Sequence, residues 1–171
     1  MTQLKKLYIE PTSACNLNCD MCFRNTWFDE TICHMDYTMF QHIMSTIPES
    51  VETVFFGGMG EPLFHQRILD MIKACNTAGL KTELLTNGTL LSKKMSRDLI
   101  ASGLDRLWIS MDSLEPYSSV SDSAPESITS KNLGHPDHME IIENIKVFNR
   151  LRFRLSSAIE LGITFVASKS N

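Results

Sequence analysis

Apolar positions along the chain follow two alternating rhythms. Short β-prone runs occur at "LKKLYIE" (4–10), "VETVFFGG" (51–58), "KTELLTNG" (81–88), "DRLWISMDS" (105–113) and "AIELGITFVASKSN" (158–171), each predicting a strand. The first stops at Pro11, which cannot donate to a ladder. Between these runs the apolar residues recur at helical spacing. Phe40, Ile43, Met44 and Ile47 follow Thr38 as N-cap and precede Pro48; Ile68, Leu69, Ile72 and Cys75 precede Gly79 as C-terminal cap. Met95, Leu99 and Ile100 follow Ser92, and Met139, Ile142, Ile145 and Phe148 follow Asp137 and Glu140, which stand at capping-box spacing. Strict alternation of strand and helix predicts an α/β fold with parallel strands and right-handed crossovers, either an open doubly wound sheet or a barrel. One segment breaks the rhythm. Residues 113–136 hold seven serines with Pro, Asn and Gly, too long for a crossover loop, and are expected to be a flap or a disordered insertion.

Composition narrows the partners. A chain of 171 residues with 43% hydrophobic content is enough for one core, so a single domain over residues 1–171 is expected. A net charge of −4 without a basic run offers nothing to nucleic acid or an anionic membrane. No segment is apolar enough for a signal peptide or a membrane span, and the expected location is cytoplasmic. Five cysteines, three of them clustered, argue against a disulfide framework in a reducing compartment and for zinc or iron–sulfur ligation.

The chemistry-bearing residues collect at the ends of the expected strands. Cys15, Cys19 and Cys22 follow the first; "GGMGEP" (57–62) the second; Thr86, Asn87 and Gly88 the third; Ser110 and Asp112 the fourth; Ser168 to Asn171 the fifth. In parallel α/β folds ligands bind beyond the carboxyl ends of the strands, so these five stretches converge on one mouth. A closed metal site takes four protein ligands, and "CNLNCDMC" supplies three. Three thiolates hold three corners of a four-iron cuboid and leave one iron for a ligand that is not protein. Asn16, Asn18 and nearby backbone N–H groups are placed to hydrogen-bond the sulfurs.

"CNLNCDMC" resembles the CxxxCxxC signature of the radical S-adenosylmethionine (SAM) enzymes, and "GGMGEP" resembles their glycine-glycine-glutamate motif. "TNG" and "ISMDS" are similar to the strand ends of the subgroup that includes the molybdenum-cofactor GTP cyclase and the SPASM-domain maturases. "NIKVFNRLR" followed by "IELGITFVASKSN" resembles the fifth unit of maturases associated with tungsten-cofactor oxidoreductases. The resemblance implies a partial (β/α)6 TIM-like barrel, ending early after its fifth strand, with a [4Fe–4S] cluster on Cys15, Cys19 and Cys22. It implies reductive cleavage of SAM to methionine and a 5′-deoxyadenosyl radical, in maturation of a cofactor precursor or a peptide, with a low-potential donor such as ferredoxin or flavodoxin. By the same resemblance Gly57, Gly58, Met59 and Glu61 would hold the methionyl amino group. Thr86, Asn87, Ser110 and Asp112 would face the ribose and carboxylate. Val166, with Asn171, would lie near the adenine, and Met21 would take the place of an aromatic contact to that ring.

Plainer readings stand beside these. The triplet fits a structural zinc knuckle completed by Cys33 or His34. The domain as a whole fits a non-catalytic iron–sulfur or zinc module that docks on a partner, or an inactive truncated radical SAM domain. Cys33 reads as a bystander thiol, Cys75 and the methionines as core, His65 as a loop residue. "GGMGEP" and "TNG" in isolation are turns, Asp112 is a helix cap, and Arg24 serves either an anion or the solvent.

Overall fold

The structure, a computed structural model, describes residues 3–19, 22, 24, 32–111 and 138–165. All five expected strands are present, each trimmed to its apolar centre: β1 (Lys6–Ile9), β2 (Thr53–Phe56), β3 (Lys81–Thr86), β4 (Arg106–Ser110) and β5 (Glu160–Thr164). The helices between them are α1 (Tyr37–Thr46), α2 (Ile68–Thr77), α3 (Lys93–Ala101) and α4 (His138–Arg154), with a short 3-10 turn at Pro62–Phe64. Residues 113–136, Asp137 and the segment beyond Phe165 lie outside the described residues.

Every neighbouring pair is parallel, and the sheet order is β1-β2-β3-β4-β5. Consecutive order separates the two expected architectures, since a doubly wound sheet reverses direction at a switch point and this one does not. The sheet is the wall of a (β/α) barrel. Ile9, Phe56, Leu84, Leu107 and Leu161 pair in one row across all strands. That face meets Phe40 of α1, Met71, Ile72 and Cys75 of α2, Leu99 of α3 and Phe148 of α4, all buried. Because successive side chains point to opposite faces, Lys6, Tyr8, Phe55, Glu83, Arg106 and Trp108 share the inner face. There Glu83 accepts Trp108 Nε1–H (2.9 Å) and pairs with Lys6 (3.0 Å) and Arg106 (3.4 Å). Burial pushes this carboxyl upward, but those partners bring it net below the ordinary carboxylate range.

The helix ends follow local chemistry. Asp36, not the expected Thr38, caps α1, its Oδ1 accepting the Thr38 N–H at 3.0 Å. A cap must sit outside the first turn with extended backbone, as Asp36 does, whereas Thr38 is already helical. Ile47 turns extended before Pro48 and ends that helix. After α2, Gly79 adopts φ 77°, and Gly79 N–H and Leu80 N–H return to the carbonyls of Asn76 and Cys75.

His65 follows the 3-10 turn and is buried. Its Nδ1 accepts the Arg67 N–H at 3.1 Å, which leaves Nε2–H to donate to the Met35 carbonyl at 3.0 Å. Both bonds suit the neutral ring, and burial lowers its pKa below the ordinary 6.5. When pH falls below that value the unfolded imidazole takes a proton that the folded one resists, so stability declines with acidification. Urea midpoints at pH 7.5 and 5.5 should fall less in His65→Gln than in the native chain. Equal drops exclude His65 as the source.

Candidate active site

The stem of the cysteine loop is a two-stranded clasp. Thr12 and His34 form an antiparallel bridge, Ser13 N–H donates to the Cys33 carbonyl (3.0 Å), and Met35 N–H donates to Pro11 (2.8 Å). Cys33 and His34 therefore serve as backbone partners that close residues 14–32 into one loop. The Cys33 side chain is exposed, and His34 Nδ1 meets the Thr12 hydroxyl at 2.9 Å.

Within the loop Cys15, Cys19 and Cys22 are each half-buried. Cys22 N–H donates to the Cys19 carbonyl (2.9 Å), a tight turn that draws those two residues together. Leu17 N–H points at Cys15 Sγ (3.4 Å), and Asn87 Nδ2 approaches the same sulfur at 3.9 Å. Arg24, between surface and interior, donates to the Leu17 carbonyl at 3.5 Å and so braces the loop.

The glycine-bearing loop after β2 docks directly on this stem. Glu61 N–H donates to the Ala14 carbonyl at 2.8 Å. The Glu61 side chain, only 2% exposed, turns the other way: Oε1 accepts Leu63 N–H (2.9 Å) and Thr86 Oγ1–H (2.8 Å), and Oε2 accepts Asn87 N–H (2.8 Å). One residue thus joins the cysteine loop, the glycine loop and the tip of β3. Asn87 closes the triangle, donating to Asn16 Oδ1 at 3.0 Å while its own Oδ1 accepts Thr89 N–H at 3.0 Å. The Thr86 hydroxyl, already given to Glu61, accepts Gly88 N–H at 3.1 Å.

Burial raises the Glu61 pKa, and the three donors from Asn87, Leu63 and Thr86 oppose that rise. Glu61→Gln tests the arrangement. An amide replaces one acceptor oxygen with an NH2 donor that faces another donor, leaving a buried N–H or O–H unmatched, at ~1–3 kcal/mol. A lower urea midpoint with unchanged slope is the expected result. A stability equal to the native chain is the result that discards it.

Of the other expected site residues, Gly57 N–H donates to the Ile9 carbonyl (3.1 Å), which continues the β1–β2 ladder into the loop. Gly58 lies against the Glu10 side chain, and Met59 N–H donates to Glu10 Oε1. Ser110 closes β4 opposite Thr164, and Met111 N–H donates to the Thr164 carbonyl at 2.9 Å. Met21, Asp112, Val166 and Asn171 lie outside the described residues.

Two residues outside the quoted motifs, Glu10 and Thr89, complete the junction together with Gly60 of the glycine loop. Glu10 was legible in principle, because Lys6, Tyr8 and Glu10 alternate against the core residues Leu7 and Ile9, which sets an acid on the inner face at the strand tip.

The donor chemistry suits an iron–sulfur cluster. Three cysteine sulfurs, soft ligands, lie on one loop, and two N–H groups aim at Cys15 Sγ, as around the sulfur ligands of such clusters. Among the described residues no three Cys, His, Asp or Glu side chains converge on a common metal point. That holds for Cys15, Cys19 and Cys22 as much as for a zinc knuckle completed by Cys33 or His34, so neither set of ligands is drawn together there.

The family profile of the "Radical SAM superfamily" matches residues 9–164. A tungsten-containing aldehyde ferredoxin oxidoreductase cofactor-modifying protein of Pyrococcus furiosus is 36% identical over 98% of this chain and 45% of its own length. A probable GTP 3′,8-cyclase of Methanosarcina mazei is 32% identical over 71% of this chain and 38% of its own. The chain spans less than half the length of these curated relatives. Among solved structures, Streptococcus suis SuiB bound to S-adenosylmethionine superposes with TM-score 0.71 at 22% identity, over 97% of this chain and 35% of that one. BtrN in complex with AdoMet and 2-DOIA gives TM-score 0.59 at 19% identity, over 74% and 55%.

Proposed function

The chain belongs to the radical SAM superfamily, and from that premise we propose that residues 1–171 act as a SAM-cleaving core in the maturation of a cofactor precursor. Cys15, Cys19 and Cys22 hold a [4Fe–4S] cluster. Bound together, cluster and SAM supply a 5′-deoxyadenosyl radical by one-electron cleavage of the sulfonium, with methionine as co-product.

The chain's own residues bind, orient and exclude water. Backbone groups of Gly57, Gly58 and Met59 receive the methionyl amino group, with Glu61 fixing the course of their loop. Asn87 and Ser110, with Asp112, are the residues we assign to the ribose and carboxylate. Thr86 holds the β3 tip in register through Glu61, and Val166 and Met21 are the residues we assign to the adenine. A low-potential donor of the ferredoxin or flavodoxin kind delivers the electron.

One observation carries this reading. Three loops from three different strands are bolted together by Glu61 and Asn87, and the bolt ends on Cys15. A turn motif without a ligand has no need of such a joint. The choice of a cofactor precursor rests on the Pyrococcus furiosus relative, whose name describes cofactor modification. No described helix is long and apolar enough to cross a membrane, and a net charge of −4 without a basic run favours a small molecule over nucleic acid. Both fit a cytoplasmic enzyme acting on a small molecule.

Anaerobic reconstitution with iron and sulfide tests the proposal. A brown protein is expected, whose electron paramagnetic resonance signal in the reduced state shifts when SAM is added. A colourless protein holding stoichiometric zinc sinks it.

A further inference from the structure

We propose that Glu10 is a positioning residue for SAM, one that aims the Gly58 and Met59 carbonyls at the methionyl ammonium by holding the N–H groups on their far side. The inference rests on the SAM-binding reading above and deepens it.

Glu10 follows β1 directly, and its register places it on the inner face with Lys6 and Tyr8. Its carboxylate turns under the glycine loop. Oε1 accepts Met59 N–H at 2.6 Å and Gly60 N–H at 3.3 Å. A Cβ at Gly58 would meet the Glu10 carboxyl carbon at 2.6 Å, and Gly58 has φ 147°, so this approach is open to glycine and closed to other residues.

The consequence follows from peptide planarity. In a trans peptide unit the N–H and the preceding C=O point in opposite directions. The unit joining Gly58 to Met59 sends its N–H into Glu10, so the Gly58 carbonyl faces away from Glu10. The unit joining Met59 to Gly60 does the same for the Met59 carbonyl. Two adjacent carbonyl oxygens are thereby held side by side, an arrangement suited to a primary ammonium with its several donors. Glu10 needs no contact with SAM to achieve this.

Both N–H groups share one oxygen, and that detail separates positioning from direct charge pairing. A glutamine carbonyl supplies the same acceptor without the charge. The experiment measures binding of radiolabelled SAM to the cluster-loaded, unreduced full chain by anaerobic equilibrium dialysis. Glu10→Ala should weaken SAM by about tenfold or more, since the loop must be ordered at the expense of binding. Glu10→Gln should stay within about twofold of the native chain, because both hydrogen bonds survive. The SAM analogue lacking the α-amino group should bind native and Glu10→Ala protein alike.

Equal loss in Glu10→Gln and Glu10→Ala overturns positioning in favour of a direct carboxylate–ammonium pair. Undiminished SAM affinity in Glu10→Ala overturns any role. If Glu10→Ala does not fold, Glu10→Gln decides, and amide hydrogen exchange at Met59 and Gly60 should match the native chain there. A native chain that carries its cluster and binds no SAM defeats the underlying reading instead, a result visible before any variant is made.

Discussion

Cys15→Ala, Cys19→Ala and Cys22→Ala should each abolish SAM cleavage, with the rate falling to the uncatalysed background, while Cys33→Ala and Cys75→Ala retain it. The difference follows from what each thiol does. Three ligands already leave one iron to be completed from outside, and removal of a further corner leaves a cluster held at only two points. The brown colour should then fade on gel filtration, and sulfide should be lost with it. Cys33 contributes through its backbone: its N–H still donates to Ser13 Oγ when the side chain is cut, and the Ser13 N–H to Cys33 carbonyl bond of the clasp remains. Cys75 is buried on α2 beside Met44, where burial pushes its thiol up to about 12, so it offers no thiolate at neutral pH. Loss of activity in Cys33→Ala would mean that the ligands are misassigned. The measurement is methionine or 5′-deoxyadenosine released per iron under reducing conditions, with bound iron counted separately.

The alternating rhythms along the chain predicted all five strands and the four helices, because period-2 and period-3.6 patterns on opposite sides of a sheet leave little freedom in element type. They did not predict the sheet order, since hydrophobic spacing records which face is buried and says nothing of which strand lies beside which. Consecutive order emerged from the pairings alone. Thr38 was mistaken for a cap because it sits next to the first apolar residue, whereas the cap is chosen by which oxygen lies outside the first turn. At the site, the motifs located the cysteines and the glycine loop but not the division of labour inside "GGMGEP". There the backbone of Glu61 reaches the cysteine stem while its carboxylate reaches β3, and no one-dimensional spacing separates a residue's two ends. Glu10 is hidden from spacing for the same reason: its partners, Met59 and Gly60, lie in another loop.

Gly60→Ala should be the most damaging methyl addition among the described glycines. A Cβ at this position would lie 2.0 Å from the Thr12 carbonyl oxygen and 2.7 Å from that of Ala14. Both obstacles are backbone, so no rotamer change relieves the clash, and either the glycine loop or the stem must move. Neither moves alone. The Ala14 carbonyl accepts Glu61 N–H at 2.8 Å, the Thr12 hydroxyl accepts Ala14 N–H at 3.0 Å, and Glu61 holds the tip of β3. Displacement by one methyl therefore propagates to Asn87 and Cys15, which places the cost at ~3 kcal/mol or more, in the range of severe overpacking. Gly79→Ala is the control, since nothing lies within 4 Å of a Cβ there, and its φ of 77° carries a backbone cost of about 1 kcal/mol. Urea midpoints should thus fall much further for Gly60→Ala than for Gly79→Ala, and only the former should lose SAM binding. Equal midpoints for the two variants would mean that the cysteine stem and the glycine loop are not joined at Gly60, and the path by which β2, β3 and the thiols form one site would have to run elsewhere.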